Sequence, residues 1–321
     1  MYYRETPFYN NLLFLLCAIC IATTSCNHNK YQTEFVKVDG TKMGYKSFGL
    51  QGRRPGEPVL VFESGLGAES GNFQFLFGGL VKKMPGIAYD RNGLGASEPD
   101  TAIKTDGDVV RRLHDFLKQA KVDPPYILVG HSYGGPLIRL FTANYPNEVT
   151  GLVFIDPSDF MLTAGEDEQI KAVSQSAVGP GDWNTLMKKP SNDTSMPIGI
   201  RNDFRRVMKA HAAGSADEYN SLPPLHDMPV SVLIAYNSPI DNYSLAQLKE
   251  LKINQKPWSQ ERNKYRIAHF AKMIENNHNS SITLLPGFGH FIHQQDPELV
   301  ISEIQKVYER SIETAKNLHN K

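Results

Sequence analysis

The sequence predicts an α/β fold in which a mostly parallel sheet is flanked by helices and carries an inserted helical cap. Short, continuous apolar runs alternate with stretches of helical periodicity, which is typical of a parallel sheet covered on both faces. The chain has 321 residues, enough for one large domain with a sizeable core. Residues 157–228 interrupt the alternation with a mostly helical pattern, and so long an excursion is more often a functional cap than a loop.

The first half of the predicted domain opens with a hairpin. Residues 33–49 alternate apolar and polar side chains around Asp39-Gly40, which predicts two antiparallel strands and a tight turn. Buried strands are then expected at residues 59–62, 87–89 and 126–129. Helices are expected near residues 70–83, at 105–121 and at 137–145, where Pro146 closes the last one.

The second half continues the alternation on either side of the cap. Apolar runs predict strands at residues 151–156, 230–235 and 281–287. Asp296 followed by Pro297 predicts the start of a final helix, because Asp is a favoured N-cap and Pro is tolerated at the first helical position. The predicted domain therefore spans residues 33–318.

The N-terminal segment predicts export. Residues 12–22 are apolar, but a membrane-spanning helix needs about 20 residues, so this run is typical of a signal-peptide core. Small residues precede Cys26, a pattern that resembles a bacterial lipobox. We expect a signal peptide over residues 1–25, a lipid on Cys26, a tether over 26–32, and a location at the bacterial cell envelope, either anchored in the membrane or periplasmic. Ordinary signal-peptide cleavage and an uncleaved anchor are the alternatives.

Composition excludes several classes of function. The 34 basic and 34 acidic residues give a net charge of zero with no long basic block, so no nucleic-acid partner is expected. All three cysteines lie within the first 26 residues, which leaves the body of the chain without thiolate metal ligands. No HExxH motif, P-loop or cluster of metal ligands occurs, so no metal or organic cofactor is expected.

A serine between glycines is the first candidate for chemistry. Gly130-His131-Ser132-Tyr133-Gly134 fits the G-x-S-x-G nucleophile elbow, and it lies between a predicted strand and a predicted helix. The glycines allow a strained turn and a close approach of strand and helix, so that the serine oxygen projects at the helix N-terminus. A plain Gly/Ser turn is the alternative for the pentapeptide taken alone.

Three further segments match motifs of one known protein family, in the order in which that family carries them. They are Ser64-Gly65-Leu66-Gly67 after the predicted strand at 59–62, the run YDRNGLGAS at 89–97, and the run GHFIHQQDP at 289–297. With the elbow, they resemble the α/β-hydrolase family over roughly residues 33–318. The resemblance implies that Ser132 is the nucleophile, that His290 is the general base, and that the backbone N–H groups of Leu66 and Tyr133 form the oxyanion hole.

The resemblance also assigns residues that are not expected to react. Ser64 stands where the family usually has histidine. Asp90 and Arg91 are interpreted as structural residues that brace turns. His293 is expected to belong to apolar packing, and His131 to be a neighbour of the elbow rather than a base.

Two residues compete for the acid of the triad. The chain order Ser, Asp, His admits Asp156, at the end of GLVFID, and Asp241, after VSVLIAYNSPID. Most family members carry the acid after the later strand, whereas haloalkane dehalogenases take it from the earlier one. We favour Asp156, because Asp241 lies farther from its strand than is usual; a helix cap or turn is the structural alternative for Asp156.

The resemblance implies a serine hydrolase that cleaves an ester or related acyl bond of a small molecule through an acyl-enzyme. Because position 132 is Ser, relatives with an Asp nucleophile are disfavoured. Proline iminopeptidase, C–C bond hydrolase and acyltransferase chemistry stay open, as does a non-catalytic binding module on the same fold. The large cap residues either line an acyl pocket or form the core of the cap: Phe160, Met161, Trp183, Met187, Phe204 and Met208.

Overall fold

The computed structural model describes residues 31–212, 219–236 and 248–319, and within them eight strands form one sheet. The strands are β1 (Glu34–Val38), β2 (Thr41–Phe48), β3 (Val59–Glu63), β4 (Gly86–Tyr89), β5 (Tyr126–His131), β6 (Val149–Ile155), β7 (Val230–Tyr236) and β8 (Ser281–Pro286). Their order across the sheet is β1-β2-β4-β3-β5-β6-β7-β8. β2 pairs antiparallel with β1 and β4, and every other pairing is parallel.

Helices flank this sheet. They are α1 (Gln74–Leu80), α2 (Asp106–Gln119), α3 (Gly134–Asn144), α4 (Ala164–Ser174), α5 (Trp183–Asn192), α6 (Ile198–Ala212), α7 (Gln255–Met273), α8 (Ile292–Gln295) and α9 (Pro297–His319). α4, α5 and α6 lie between β6 and β7, and we call them the cap. The predicted fold class, a mostly parallel sheet with a helical insertion, is confirmed.

The continuous apolar strands follow from burial on both faces of the sheet. In β3, Val59 and Val61 belong to one hydrophobic core, whereas Leu60 and Phe62 belong to the other. Successive side chains of a strand point to opposite faces, so a strand between two cores needs apolar residues at every position. The sequence therefore identifies the strands of the parallel part of the sheet by their continuous apolar runs.

Helix α7 was not predicted. Its buried residues are Asn263, Arg266 and Phe270, which follow one face at helical spacing. Two of these three are polar, so the face that packs against the protein does not appear as an apolar stripe. The hydrophobic periodicity that identifies a core-facing helix is therefore weak in this segment.

Parallel pairing brings the ends of β3, β5, β6 and β7 to one edge of the sheet, and the residues that follow them form the candidate site. Two predicted features lie outside the described residues: the signal peptide with Cys26, and Asp241. Among the described helices, none is both long enough and apolar enough to span a bilayer.

Candidate active site

Ser132 occupies a strained turn between β5 and α3. Its φ is +54°, in the left-handed region that residues other than glycine rarely adopt. A Cβ atom at Gly130 would lie 2.6 Å from the carbonyl oxygen of Gly134, and one at Gly134 would lie 2.2 Å from the carbonyl oxygen of Glu63. The backbone segments around Ser132 thus approach too closely for any residue but glycine at these two positions, as the elbow motif predicts.

Asp156 follows β6 directly and contacts His290. Its Oδ2 accepts a hydrogen bond from Nδ1 of His290 at 2.6 Å. Its Oδ1 accepts from the Ala235 N–H and from Nη1 of Arg266, each at 3.0 Å. Like Ser132, Asp156 has a positive φ, +40°. The structure therefore brings Asp156 and His290 together, although 134 residues separate them in the chain.

The carboxyl group of Asp156 is held in its ionised form. Burial alone would raise its pKa, but the charge of Arg266 and the hydrogen bond from His290 outweigh burial and lower the pKa well below its usual range. A carboxylate accepts hydrogen bonds only, so Nδ1 of His290 carries the proton of this bond. The neutral imidazole then presents Nε2 as an acceptor.

The other two histidines near the site have different surroundings. Nε2 of His131 lies 3.0 Å from the backbone oxygen of His290, a contact that joins the elbow to the histidine loop. His293 is fully buried, with its ring centroid 5.3 Å from that of Phe73. Burial, reinforced by His290, lowers the pKa of His293 to about 3, so this side chain is uncharged at neutral pH.

The loop after β3 lies against the elbow. A Cβ atom built on Gly65 would lie 3.2 Å from Cβ of Ser132. The Ser64 hydroxyl donates to the backbone oxygen of Glu69 at 3.0 Å, which ties the loop to the segment that follows it. Leu66 thus belongs to a loop in contact with the candidate nucleophile, and Tyr133 lies immediately before α3.

One contact of a working triad is not made. Within the described residues, Oγ of Ser132 forms no hydrogen bond with His290, whose side chain is 32% exposed. Catalytic hydrogen bonds are often long or poorly aligned in ligand-free enzymes and tighten when substrate binds. The hydrogen bond between Asp156 and His290 is therefore formed, whereas a hydrogen bond between Ser132 and His290 is not.

Known proteins share this architecture. A family model described as alpha/beta hydrolase fold matches residues 58–185. The uncharacterized protein YqjL of Bacillus subtilis (strain 168) is 34% identical over 113 residues, 35% of this chain and 45% of that protein. A proline iminopeptidase of Heyndrickxia coagulans is 30% identical over 129 residues, 40% of this chain and 43% of that protein. The matched segments span less than half the length of these two relatives.

A solved structure extends the likeness to most of the chain. The epoxide hydrolase CorEH matches with a TM-score of 0.60 over 87% of this chain and 99% of that chain, at 15% identity. The chain has the α/β-hydrolase fold. At so low an identity the structural likeness establishes the fold alone, and the chemistry of this chain has to be argued from its own residues.

Two cavities in the described part of the chain are lined by none of the residues Ser132, Asp156 and His290. One, of about 350 Å³, is lined by Arg91, Arg206 and residues of α6; the other, of about 360 Å³, is lined by Phe160, Met161 and residues of α7. Neither is lined by Ser132, and the described residues contain no group of three or more side chains placed to hold a metal ion. Of the large cap residues, Phe160 and Phe204 are buried in the core that lies under the cap, and Met161, Trp183 and Met187 pack against it.

Sequence reasoning missed the charged residues that support the site. Arg266 pairs with Asp156, and Asp203 and Arg206 of the cap join a buried network next to the elbow. A buried Arg or Asp has no periodic signature, because its partners come from distant parts of the chain. In the sequence, Arg266 is distinguished only by its spacing of four residues from Phe270, which places both on one face of a helix.

Proposed function

We propose that this α/β-hydrolase is a serine hydrolase that cleaves an ester or related acyl bond of a small molecule through a triad of Ser132, His290 and Asp156. The hydrogen bond of 2.6 Å between Asp156 and His290 is the observation that carries the proposal. It lies at the sheet edge where the elbow presents Ser132. Asp241, outside the described residues, is the alternative acid.

In this mechanism Asp156 orients the base. By accepting a hydrogen bond from Nδ1–H, it selects the tautomer whose Nε2 removes the proton of the Ser132 hydroxyl. Oγ then attacks the acyl carbon, and the substrate carbonyl becomes an oxyanion held by the backbone N–H groups of Leu66 and Tyr133. His290 returns the proton to the leaving group, which departs and leaves the acyl-enzyme.

Water completes the cycle by the same route in reverse. His290 takes a proton from water, the hydroxide attacks the acyl carbon, and Ser132 is released as the proton returns to Oγ. The imidazolium that forms in each half-reaction is stabilised by the ionised Asp156. Arg266 contributes indirectly, since its charge keeps this carboxyl group unprotonated.

The preferred substrate distinguishes this function from the second candidate function. A proline iminopeptidase is the second candidate, favoured by the 30% identity over 129 residues to such an enzyme. A panel of p-nitrophenyl esters of graded acyl length, together with aminoacyl-anilides including the prolyl one, separates the two. We expect turnover of the esters by the wild type and none by Ser132→Ala. Preferential cleavage of prolyl-anilide would support the second candidate, and no turnover of any kind would favour a binding module.

The proposed location is the bacterial cell envelope. The lipobox-like segment before Cys26 supports acylation of that cysteine and its exposure as the new N-terminus. A protein anchored in this way would meet its acyl substrate at or near a membrane surface.

A further inference from the structure

We infer that Asp203 and Arg206 of the cap helix α6 are positioning residues that orient both backbone donors of the oxyanion hole. This inference rests on the proposed function, because it concerns the same site. Both side chains are buried, and both lie outside the proposed triad. They are three residues apart on one helix, so one turn of the cap reaches the loop after β3 and the elbow at the same time.

Asp203 fixes the loop after β3. Its Oδ2 accepts from the Gly67 N–H at 2.9 Å and from Nη2 of Arg91 at 2.8 Å. The same guanidinium group donates to the backbone oxygens of Ser64 and Gly65, each at 2.6 Å. Backbone groups on both sides of Leu66 are therefore tied to one carboxylate of the cap.

Because the peptide bond is planar, the contacts to the Gly65 carbonyl also set the direction of the Leu66 N–H. The Gly65 carbonyl and the Leu66 N–H belong to one trans peptide, so they point in opposite directions. Because Arg91 holds the Gly65 oxygen, it also sets the direction of the Leu66 N–H. Loss of the Asp203 carboxylate would leave Glu63, 2.7 Å from Nη1, as the one carboxylate paired with Arg91 among the described residues, so Nη2 would be held less firmly against the Gly65 oxygen.

Arg206 fixes the elbow. It pairs with Oδ1 of Asp106, whose Oδ2 accepts from the Tyr133 hydroxyl at 2.6 Å. Arg206 also donates to Oδ1 of Asp203 at 3.0 Å, which joins the two halves of the network. The residue that supplies the second N–H donor, Tyr133, thus has its side chain held by the same turn of the cap.

Burial makes these contacts directional. Asp106, Asp203 and Arg206 are all at most 8% exposed, so the loss of a hydrogen-bond partner costs more here than it would at the surface. An Asn at position 203 keeps the shape but has a single acceptor oxygen, and its NH₂ group would face a donor, either Gly67 N–H or a guanidinium group. Asp203→Asn therefore releases one side of the network without leaving a hole.

Asp203→Asn is the first test, measured on the full-length protein with the best p-nitrophenyl ester. We expect kcat to fall by about 10- to 100-fold, less than the 10²- to 10³-fold typical of a deleted donor, because the N–H is misdirected rather than removed. KM should change by less than about twofold, since the neutral carbonyl of the bound ester depends little on the donors. The Ki of an aryl trifluoromethyl ketone, which becomes an oxyanion on Ser132, should rise in parallel with the fall in kcat. A purely structural role for Asp203 would not produce that parallel.

Tyr133→Phe is the second variant and keeps the inference testable if Asp203→Asn does not fold. It removes only the hydroxyl that reaches Asp106 and retains the N–H donor, so the same pattern is expected with a smaller fall in kcat. Glu166→Gln is the matched control, because it weakens a different contact of the cap, with His269, and should leave kcat unchanged. Near-wild-type kcat in both test variants, or a rise in KM alone, would overturn the inference.

Labelling of wild type by a fluorophosphonate separates the two proposals. If the wild type is labelled at Ser132 and the variants react at the wild-type rate, the proposed function stands and the positioning role is wrong. If the wild type is not labelled, the proposed function fails and the inference fails with it.

Discussion

Ser132 and Asp156 share an uncommon backbone conformation. Each is a non-glycine residue at positive φ, +54° and +40°, and each follows a strand of the parallel sheet. Conformations of this kind cost on the order of 1–3 kcal/mol and persist where the surrounding structure imposes them, often at functional sites. The sequence reveals this strain at Ser132, through the flanking glycines, but not at Asp156, whose neighbours are Ile155 and Pro157.

The acid of the triad is the sharpest prediction at the scale of single residues. Asp156→Asn should lower kcat by about 10⁴-fold, because the amide cannot select the reactive tautomer of His290 or stabilise its charged form. Asp241→Asn should leave kcat near the wild-type value. Steady-state kinetics on both variants, with folding checked by circular dichroism, measures the difference.

The opposite pattern would move the acid to Asp241 and leave the nucleophile and base in place. Near-normal rates in both variants would contradict the assignment of a carboxylate to the triad. Asp156→Asn also leaves Arg266 with an uncharged partner, so only a folded preparation counts as a test.

At the scale of elements, the contact between α3 and β3 depends on Gly134. A Cβ at this position would meet backbone 2.2 Å away, and backbone cannot rotate aside. Gly134→Ala should therefore lower the free energy of unfolding by about 3 kcal/mol or more. Gly78→Ala, in α1 with nothing within 4 Å of the added Cβ, should raise it by about 0.5–1 kcal/mol. Urea denaturation measures both, and equal effects would contradict the close approach.

His269 of α7 joins this helix to the cap. Its Nδ1 lies 2.9 Å from Asp159 and its Nε2 lies 3.1 Å from Glu166, so both contacts are hydrogen bonds only when the ring is protonated. Partial burial alone would lower the pKa of His269, but the two carboxylates outweigh burial and raise it. The two contacts of His269 therefore contribute fully to the free energy of unfolding below the unfolded pKa of about 6.5. This contribution is lost as the pH rises through the higher pKa of the folded state.

His269→Gln should consequently make stability less dependent on pH. We expect the wild type to lose more unfolding free energy than the variant between about pH 6 and about pH 9, measured by urea denaturation at each pH. Equal losses in the two proteins would mean that His269 does not carry a charge in the folded state.

The strands were predicted to within a few residues, whereas α7 was not predicted at all. β3 and β5 are buried on both faces, so residues 59–62 and 127–129 are apolar at every position and the sequence identifies the strands directly. In α7 the buried face contains Asn263 and Arg266, chosen for polar partners that are remote in sequence. Ser132 and His290 lie in local sequence motifs, which predict them as candidates. Asp203 and Arg206 have partners that are remote in sequence, so no local motif predicts their network.

At the scale of the whole molecule, the prediction of a lipid anchor concerns the N-terminus. Radiolabelled palmitate should be incorporated by the wild type and not by Cys26→Ala, because Cys26 follows the apolar segment and its small residues. Cys17→Ala and Cys20→Ala are matched controls within the apolar segment and should be labelled normally. Equal labelling of Cys26→Ala and the wild type, or labelling of neither, would contradict the anchor.

The fold as a whole assembles the site from separate parts of the chain. Ser132 follows β5, Asp156 follows β6, and His290 follows β8, so no local segment contains more than one member of the triad. Because the three strands are parallel, their carboxyl ends meet at one edge, and the sheet order sets the distances between the three side chains. The proposed triad therefore depends on the complete domain.

A fluorophosphonate probe followed by peptide mapping tests the central claim most directly. An activated Ser132 should attack phosphorus through Oγ and expel fluoride, leaving one covalent adduct per molecule on the peptide that contains residue 132. Ser132→Ala should remain unmodified, and His290→Ala should react far more slowly than His293→Ala. An adduct on another residue, equal labelling of Ser132→Ala, or no labelling of the wild type would contradict the assignment of Ser132 as the nucleophile.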